Sequence, residues 1–414
     1  MRKIIFLFAI SLLSFTNNLI AQLTGCTDSK AINYNALATI NDGSCVYELD
    51  TITPILSINL DNVISETSGL IQWNDQVWTH NDSGCDPIIY ALDTLTGNII
   101  QSLPLAGTSN VDWEEICQDN DFIYVGDFGN NINGNRTDLK ILRVSKNSIL
   151  INDPIIDTIH FSYSNQTDFT ATGANSTDFD CEAFIVSEDS IFLFTKQWLS
   201  EKTSVYELSK TPGTHIATLK STFDVKGLIT GSVSIDSKNL LALCGYSKTL
   251  QPFIYLLYDF NGSDFFSANK RKVIVSLPFH QVEGITTTNG LKYYISNEYF
   301  PQLNTLQKLH ILDLTTFLDA YISASLADSQ IKMKNSLSVY PNPATHSVTF
   351  RADNFNTIPH DIIITDLTGR ALMVFVKDES EIAVDVSNLS NGIYIYTIME
   401  RNHTIKTGKL IIVR

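Results

Sequence analysis

The chain is short of charge, and the charge it has is lopsided. Only 17% of its 414 residues are Asp, Glu, Lys or Arg, and 28 basic residues face 44 acidic ones, giving a formal net charge of −16 and a pI of about 4.8. A surface of that sign repels phosphate backbones and anionic lipid, which argues against nucleic acid or acidic membrane as partners. Past the first stretch, no segment approaches ~20 consecutive apolar residues, so no transmembrane helix is expected. Helical periodicity is missing between residues 53 and 314. CxxC spacing, HExxH, GxSxG and the glycine-rich phosphate loop are all absent. Their absence removes the common zinc, serine-hydrolase and nucleotide-cradling chemistries. What remains is 44% apolar, enough to build a sizeable core and too much for a disordered chain.

The first residues read as an export leader. Arg2 and Lys3 precede an almost wholly apolar run from Ile4 to Phe15, and Leu19-Ile20-Ala21 offers a small residue before Gln22. That pattern predicts a cleaved signal peptide over 1–21, too short to span a bilayer as a stable helix. Leu23-Thr24-Gly25-Cys26 also fits a lipoprotein box, which would lipidate Cys26. The competing reading pairs Cys26 with Cys45. These two bracket a loop too small for a core, and a disulfide is the natural staple in an oxidising compartment. Asp28, Asn33, Asn35, Asn41 and Asp42 in that loop offer oxygens to a hard cation. The 22–48 segment, GCTD…DGSC, resembles the thrombospondin type 3 calcium repeats, although turns use the same residues without metal. Cys85, Cys117, Cys181 and Cys244 remain, and their pairing is open.

Residues 53–320 are a succession of short β-rich runs, among them IIYAL, DFIYVGDF, SIFLFTK, LLALCGY and FIYLLYDF. A start motif recurs roughly every fifty residues: ETSGLI, DWEEI, DCEAFI, ITGSVSI and VEGITT, aligned on Ser68, Glu114, Glu182, Ser232 and Glu283. One repeat per four-stranded blade predicts a five-bladed β-propeller. The last repeat lacks a fourth strand, and ILSINL at 55–60 is placed to supply it and close the ring. A six-bladed ring is the alternative, because the step from Glu114 to Glu182 is the longest. A plain sandwich would leave the recurrence unexplained.

After a polar linker at 321–336, residues 337–414 alternate period-two strands with Asn-Pro, Thr-Gly and Asn-Gly turns, which predicts a small immunoglobulin-like β-sandwich. Tyr340-Pro341-Asn342-Pro343, Asp366-Leu367-Thr368-Gly369-Arg370, Leu389-Ser390-Asn391-Gly392-Ile393-Tyr394 and a basic last strand with Lys406 and Lys409 follow in order. The segment resembles the C-terminal sorting domain of the type IX secretion system. That resemblance implies delivery across the outer membrane by the type IX machinery and, usually, removal of the tail. A monomer, secreted or attached at the outer surface, is expected.

In a propeller, the starts of first strands and the ends of second strands open on one face, where ligands usually bind. Glu66, Asp112, Glu114, Asp180, Glu182 and Glu283 fall at first-strand starts, and His80, Asp82, Asp127, Lys196 and Glu298 at second-strand ends. Asn130 and Arg136 lie on the loop after Asp127. Carboxylates crowded in a channel need protons, basic partners or a cation. Glu66, Glu114, Glu182 and Glu283 are therefore expected to hold calcium, which takes many oxygens from separate strands. The remaining residues are expected to line a ligand site. The bland alternative is that the acids cap loop N–H groups and that His80, Trp78 and Trp113 serve packing. Asp112-Trp113-Glu114, Val282-Glu283-Gly284, His80-Asn81-Asp82-Ser83-Gly84 and Gly126-Asp127-Phe128-Gly129 resemble phytase-like propellers and five-bladed calcium-activated nucleotidases. That likeness implies a calcium-dependent phosphoesterase, but Lys196 and Arg136 are few cations for a phosphate. Binding of an extracellular ligand without chemistry is the other expectation, and whether the protein is an enzyme stays open.

Overall fold

A computed structural model describes residues 22–151, 153–323, 337–352, 361–376, 381–400 and 403–414. The leader expected over 1–21 and residues 324–336 of the linker lie outside the described residues. The fold is nearly all β and divides after Leu314 into two units.

The first unit is a ring of five antiparallel blades. From the channel outward, the first blade is Thr67–Trp73, Gln76–Asn81, Ile88–Leu92 and Ile99–Pro104. The second is Trp113–Gln118, Phe122–Asp127, Lys140–Ser145 and Ile156–Tyr163. The third is Asp180–Ser187, Ser190–Lys196, Thr203–Ser209 and Gly213–Phe223. The fourth is Leu228–Ile235, Leu240–Tyr246, Pro252–Tyr258 and Asn269–Val275, with Asp50–Ile52 added in parallel at its outer edge. The fifth is Val282–Thr286, Lys292–Asn297 and Lys308–Asp313, and its outermost strand is Leu56–Asn59 from the front of the chain. That strand closes the ring as the sequence predicts. Local turn chemistry supports the hairpins: Asn74 and Asp75 both take left-handed φ (51° and 60°), the geometry a two-residue turn between right-twisted strands demands.

Among the described residues, the longest step contains no sixth blade. Beyond the four strands of the second blade, its described residues hold a short helix, Lys146–Leu150, and the connection over 164–179; the outer strand of the third blade, further on, serves two blades. Gly213–Ala217 pairs in parallel with Ile159–Tyr163 of the second blade, and Thr218–Phe223 pairs with its own third blade. Two blades are thereby joined into one eight-stranded sheet, and two edges that could recruit another chain are covered.

Apolar layers between blades hold the ring. Trp78 and Trp113 pack between the first and second blades, both fully buried, as the packing alternative expects. Phe128, Phe184 and Tyr206 fill the next layer, Phe194, Phe253 and Phe265 the one after, and Tyr90, Tyr294 and Leu309 the layer between the last blade and the first. Each such side chain contributes roughly 1.5–3 kcal/mol by leaving water.

Cys26 is bonded to Cys45, so its sulfur is not available for lipid. Cys85, Cys117, Cys181 and Cys244 are free thiols. Polar side chains of the stapled loop bond to neighbouring protein groups. Asp28 accepts from Tyr47, Tyr258 and the Lys30 N–H, Asn33 from the Val46 N–H, and Asp42 from the Ser44 N–H. Asn41 donates to Asp259 and Asn269. The segment works as a clamp on the fourth blade, reinforced by an ion pair of 2.6 Å between Arg271 and Asp50.

The second unit comprises a helix over 315–323 and two sheets facing one core. Leu337–Tyr340, Ser347–Ala352 and Glu381–Asp385 form one sheet; Ala371–Val376, Asp361–Thr365, Gly392–Glu400 and His403–Ile412 form the other. Val348, Phe350, Ile362, Ile364, Ile398 and Leu410 meet between them at every second position of their strands. The quoted motifs sit on the connections. Asn342 clamps the last strand by donating to the Lys409 carbonyl and accepting from the Ile411 N–H, and Asp366 caps its own turn through Thr368 and Arg370.

Candidate functional site

Each innermost strand carries one residue more than its partner near the mouth of the channel. The extra residue falls between Thr67 and Leu70 in the first blade, and is Glu114, Glu182, Thr230 and Glu283 in the others. A bulge re-aims a side chain that would otherwise follow the strand's alternation. In the fourth blade the equivalent position is therefore Thr230, two residues before the Ser232 of the sequence alignment. Ser232 instead donates to the Phe184 carbonyl of the third blade.

Two groups of carboxyls converge there, each with ligand oxygens within 4.8 Å of one another: Asp82, Asp112 and Glu114, and Glu114, Asp180 and Glu182. Glu114 belongs to both. It is 2% exposed, and its Oε1 has no hydrogen-bond partner. Burial, together with Asp82, Glu182 and Asp112 nearby, pushes its carboxyl well above the usual range. Asp82 is pushed up to about 6 and Asp112 to about 7, mainly by burial and then, for Asp112, by Asp82. Gly129 makes room for the group. A Cβ there would stand 2.0 Å from Glu114 Oε1 and 2.4 Å from Asp112 Oδ2.

The second group carries a cation of its own. Lys196 Nζ lies 3.0 Å from Glu182 Oε1, over the Trp198 ring at 4.8 Å and the Tyr246 ring at 5.3 Å. Asp180 accepts from the Asn130 N–H at 2.6 Å and the Trp198 indole at 2.8 Å. Burial raises the Asp180 and Glu182 carboxyls, and Lys196 opposes the rise in both.

Glu66 and Glu283, expected as metal ligands, stand outside both groups. Glu283 is raised to about 7 by burial while Lys196 and a hydrogen bond to Tyr246 pull it down. Glu66 and Glu298 are hydrogen-bonded to each other, and burial raises both. Asp82, Asp112 and Asp180, expected as ligand-binding residues, are the ones that join Glu114 and Glu182.

Four expected lining residues are engaged in scaffolding or packing. Asp127 is fully buried and pairs with Arg136 at 2.9 Å and Lys140 at 2.8 Å. Arg136 also holds Asp138 and the Gly129 carbonyl, fixing the loop that carries Gly129. Asn130 accepts from the Arg136 N–H and donates to the Phe179 carbonyl. His80 is buried with its edge against Trp113, bonds the Asn81 carbonyl through Nδ1, and is held down to about 4 by desolvation, which makes it a neutral packing residue.

Glu115 was not foreseen. Its carboxyl crosses the channel, accepting from the Ile116 N–H at 3.0 Å and the Ser232 N–H at 2.8 Å, with a further bond from Leu70. One side chain thus ties the second, fourth and first blades. Gly69 is small because a Cβ there would meet Glu115 Oε1 at 2.1 Å. Tyr246 and Trp198 were also missed. Nothing in their sequence setting separates them from strand aromatics.

No curated protein sequence matches the chain. Among solved structures, PorZ, an essential bacterial surface component of the type-IX secretion system of Porphyromonas gingivalis, is 16% identical, with 84% of this chain and 45% of that chain covered and a TM-score of 0.31. This chain therefore spans less than half of PorZ. A chain of a mitotic checkpoint complex is 11% identical over 66% of this chain and 99% of its own, also with a TM-score of 0.31. Residues 338–413 match the family described as Secretion system C-terminal sorting domain. The end of the chain is accordingly a secretion sorting domain, which marks the protein for secretion or attachment at the outer surface.

Proposed function

We propose that the protein is an exported propeller that binds one calcium ion between its first and second blades and uses the mouth around that ion to hold an extracellular ligand. The observation that carries the reading is the orphaned Glu114 Oε1, buried at the vertex of two carboxyl groups. A buried carboxylate without a partner costs several kcal/mol unless it takes a proton or a cation. The donor set is oxygen only, with no imidazole or thiolate in either group, which suits a hard cation and not zinc. Asp82, Asp112 and Glu114 would hold the ion, since Lys196 already balances Glu182. Bound there, calcium would supply positive charge and open coordination positions for ligand oxygens. The chain's own residues fix the donors: Arg136 and Asp127 hold the loop, and Gly129 leaves the space.

Phosphoester hydrolysis at the same mouth is the weaker reading. Arg136 is tied to Asp127 and Asp138, and Lys196 to Glu182, so neither side chain is available to clamp a phosphate. A phosphatase screen on the mature protein with calcium and with chelator separates the two. Turnover that needs calcium and is lost in Glu114→Gln would establish the enzyme; calcium-dependent stability without turnover supports the binding protein.

A further inference from the structure

The mouth has a second side, on the fifth blade, that the calcium reading does not use. Glu283 rises from the bulge of that blade, is 7% exposed, and leaves Oε2 without a hydrogen-bond partner. Glu298 follows the end of the neighbouring strand, and its strongest charged neighbour is Glu283. Glu66 is bonded to Glu298 and is half-buried, which leaves one side of the group in reach of solvent. Backbone bonds fix the pair: the Tyr299 N–H donates to the Ser65 carbonyl at 2.7 Å and the Asp82 N–H to the Glu66 carbonyl at 2.9 Å.

These three carboxyls form neither of the close-set metal groups. Three acceptors, two from the fifth blade and one from the lead-in to the first, match three N–H donors on one nitrogen. The mouth already contains an example: Lys196 places an alkylammonium against Glu182 with the Tyr246 and Trp198 rings beneath it. Tyr246 borders Glu283 as well, through a hydrogen bond. Aromatic faces and carboxylates together are the usual surroundings of a buried organic cation.

We infer that Glu66, Glu283 and Glu298 form a subsite for a protonated primary amine carried by a small extracellular ligand. The inference deepens the ligand-binding reading of the mouth but does not depend on calcium. An ammonium there replaces the proton that Glu66 and Glu298 must share when they are hydrogen-bonded to each other, and satisfies Glu283 Oε2.

The test is thermal unfolding and calorimetry of the mature chain with 1,4-diaminobutane as probe and tetramethylammonium at equal ionic strength as control. Tetramethylammonium carries the charge without any N–H donor. With calcium saturating, diaminobutane should raise the melting temperature and tetramethylammonium should not. Glu298→Gln and Glu283→Gln should each weaken diaminobutane at least tenfold while leaving the calcium response in place. Glu114→Gln should do the reverse, so failure of the metal site and failure of the amine subsite are read apart. Should Glu283→Gln not fold, Glu66→Gln, at a half-buried position, provides the same reading. Equal responses to the two cations, or an unaltered diaminobutane affinity in the Glu298 variant, would overturn the subsite. Competition between calcium and diaminobutane would also overturn it, because the three carboxyls would then be part of the metal centre.

Discussion

Lys196 Nζ stands 3.0 Å from Glu182 Oε1 with both side chains almost wholly buried. This pair makes the two carboxyl groups at the channel unequal, although they share Glu114. The group with Asp180 and Glu182 has an internal counter-ion in direct contact; the group with Asp82 and Asp112 has Arg136 at 3.9 Å from Asp112, already committed to Asp127, and feels Lys196 at Asp82 without a direct ion pair between them.

Removing the ammonium should therefore expose a second cation position. Lys196→Met leaves Glu182 uncompensated and should destabilise the calcium-free protein by about 3–5 kcal/mol. Calcium should recover part of the loss, and calorimetry should show the binding stoichiometry rising from one to two. A variant that keeps a stoichiometry of one and is not rescued by calcium contradicts the division of labour.

Stability without calcium should fall as the solution becomes less acidic. Asp82, Asp112 and Glu283 are raised to about 6, 7 and 7. Groups with raised values bind more protons folded than unfolded, so their contribution is complete below about pH 4 and is lost as pH rises through 6 to 7. His80, held down to about 4, and His310, held down to about 3, act in the opposite sense below about pH 6.5. The clean window thus lies between pH 6.5 and 8. Urea unfolding in calcium-free buffer should give a lower midpoint at pH 8 than at pH 6.5, and saturating calcium should remove the difference. A calcium-free midpoint that climbs across this window would show that the mouth carboxyls are already ionised and satisfied.

Gly129→Ala should weaken calcium binding at least tenfold, about 1.4 kcal/mol, because its methyl group would displace Glu114 and Asp112. Global stability should drop by roughly 1–3 kcal/mol from overpacking. Titration of the alanine variant by calorimetry reads both sides of this prediction, and an unchanged affinity would place the ion elsewhere.

Deleting residues 338–414 should leave the propeller folded and abolish its appearance outside the cell in a host with a type IX system. Fractionation with antibody detection checks it. Undiminished export of the truncated chain would mean that another segment carries the address.

The ring was legible because its signals are local. Blade starts, strand runs and the closing strand at Leu56–Asn59 all show in residue order, and so do the turns of the sorting domain, where Asp366, Gly369 and Asn391 fix the backbone by their own chemistry. The phase of the innermost strands was not. One extra residue per strand decides which neighbour points into the channel, and a bulge leaves no mark in composition. For that reason Thr230 was passed over for Ser232, and the cross-channel role of Glu115, next to Glu114, was not foreseen. The parallel pairing of Gly213–Ala217 with the second blade is equally invisible, since a long strand reads the same whether it serves one blade or two.

The central claim is that Glu114 anchors a calcium ion. Calorimetric titration of the mature protein with calcium, compared with Glu114→Gln, tests it most directly. The account predicts one site in the wild type and a loss of affinity of at least tenfold in the variant, with the calcium-free variant as stable as the wild type or more so, since a buried carboxyl has been replaced by a neutral amide. Equal calcium affinity in the two proteins, or no binding in either, would contradict it.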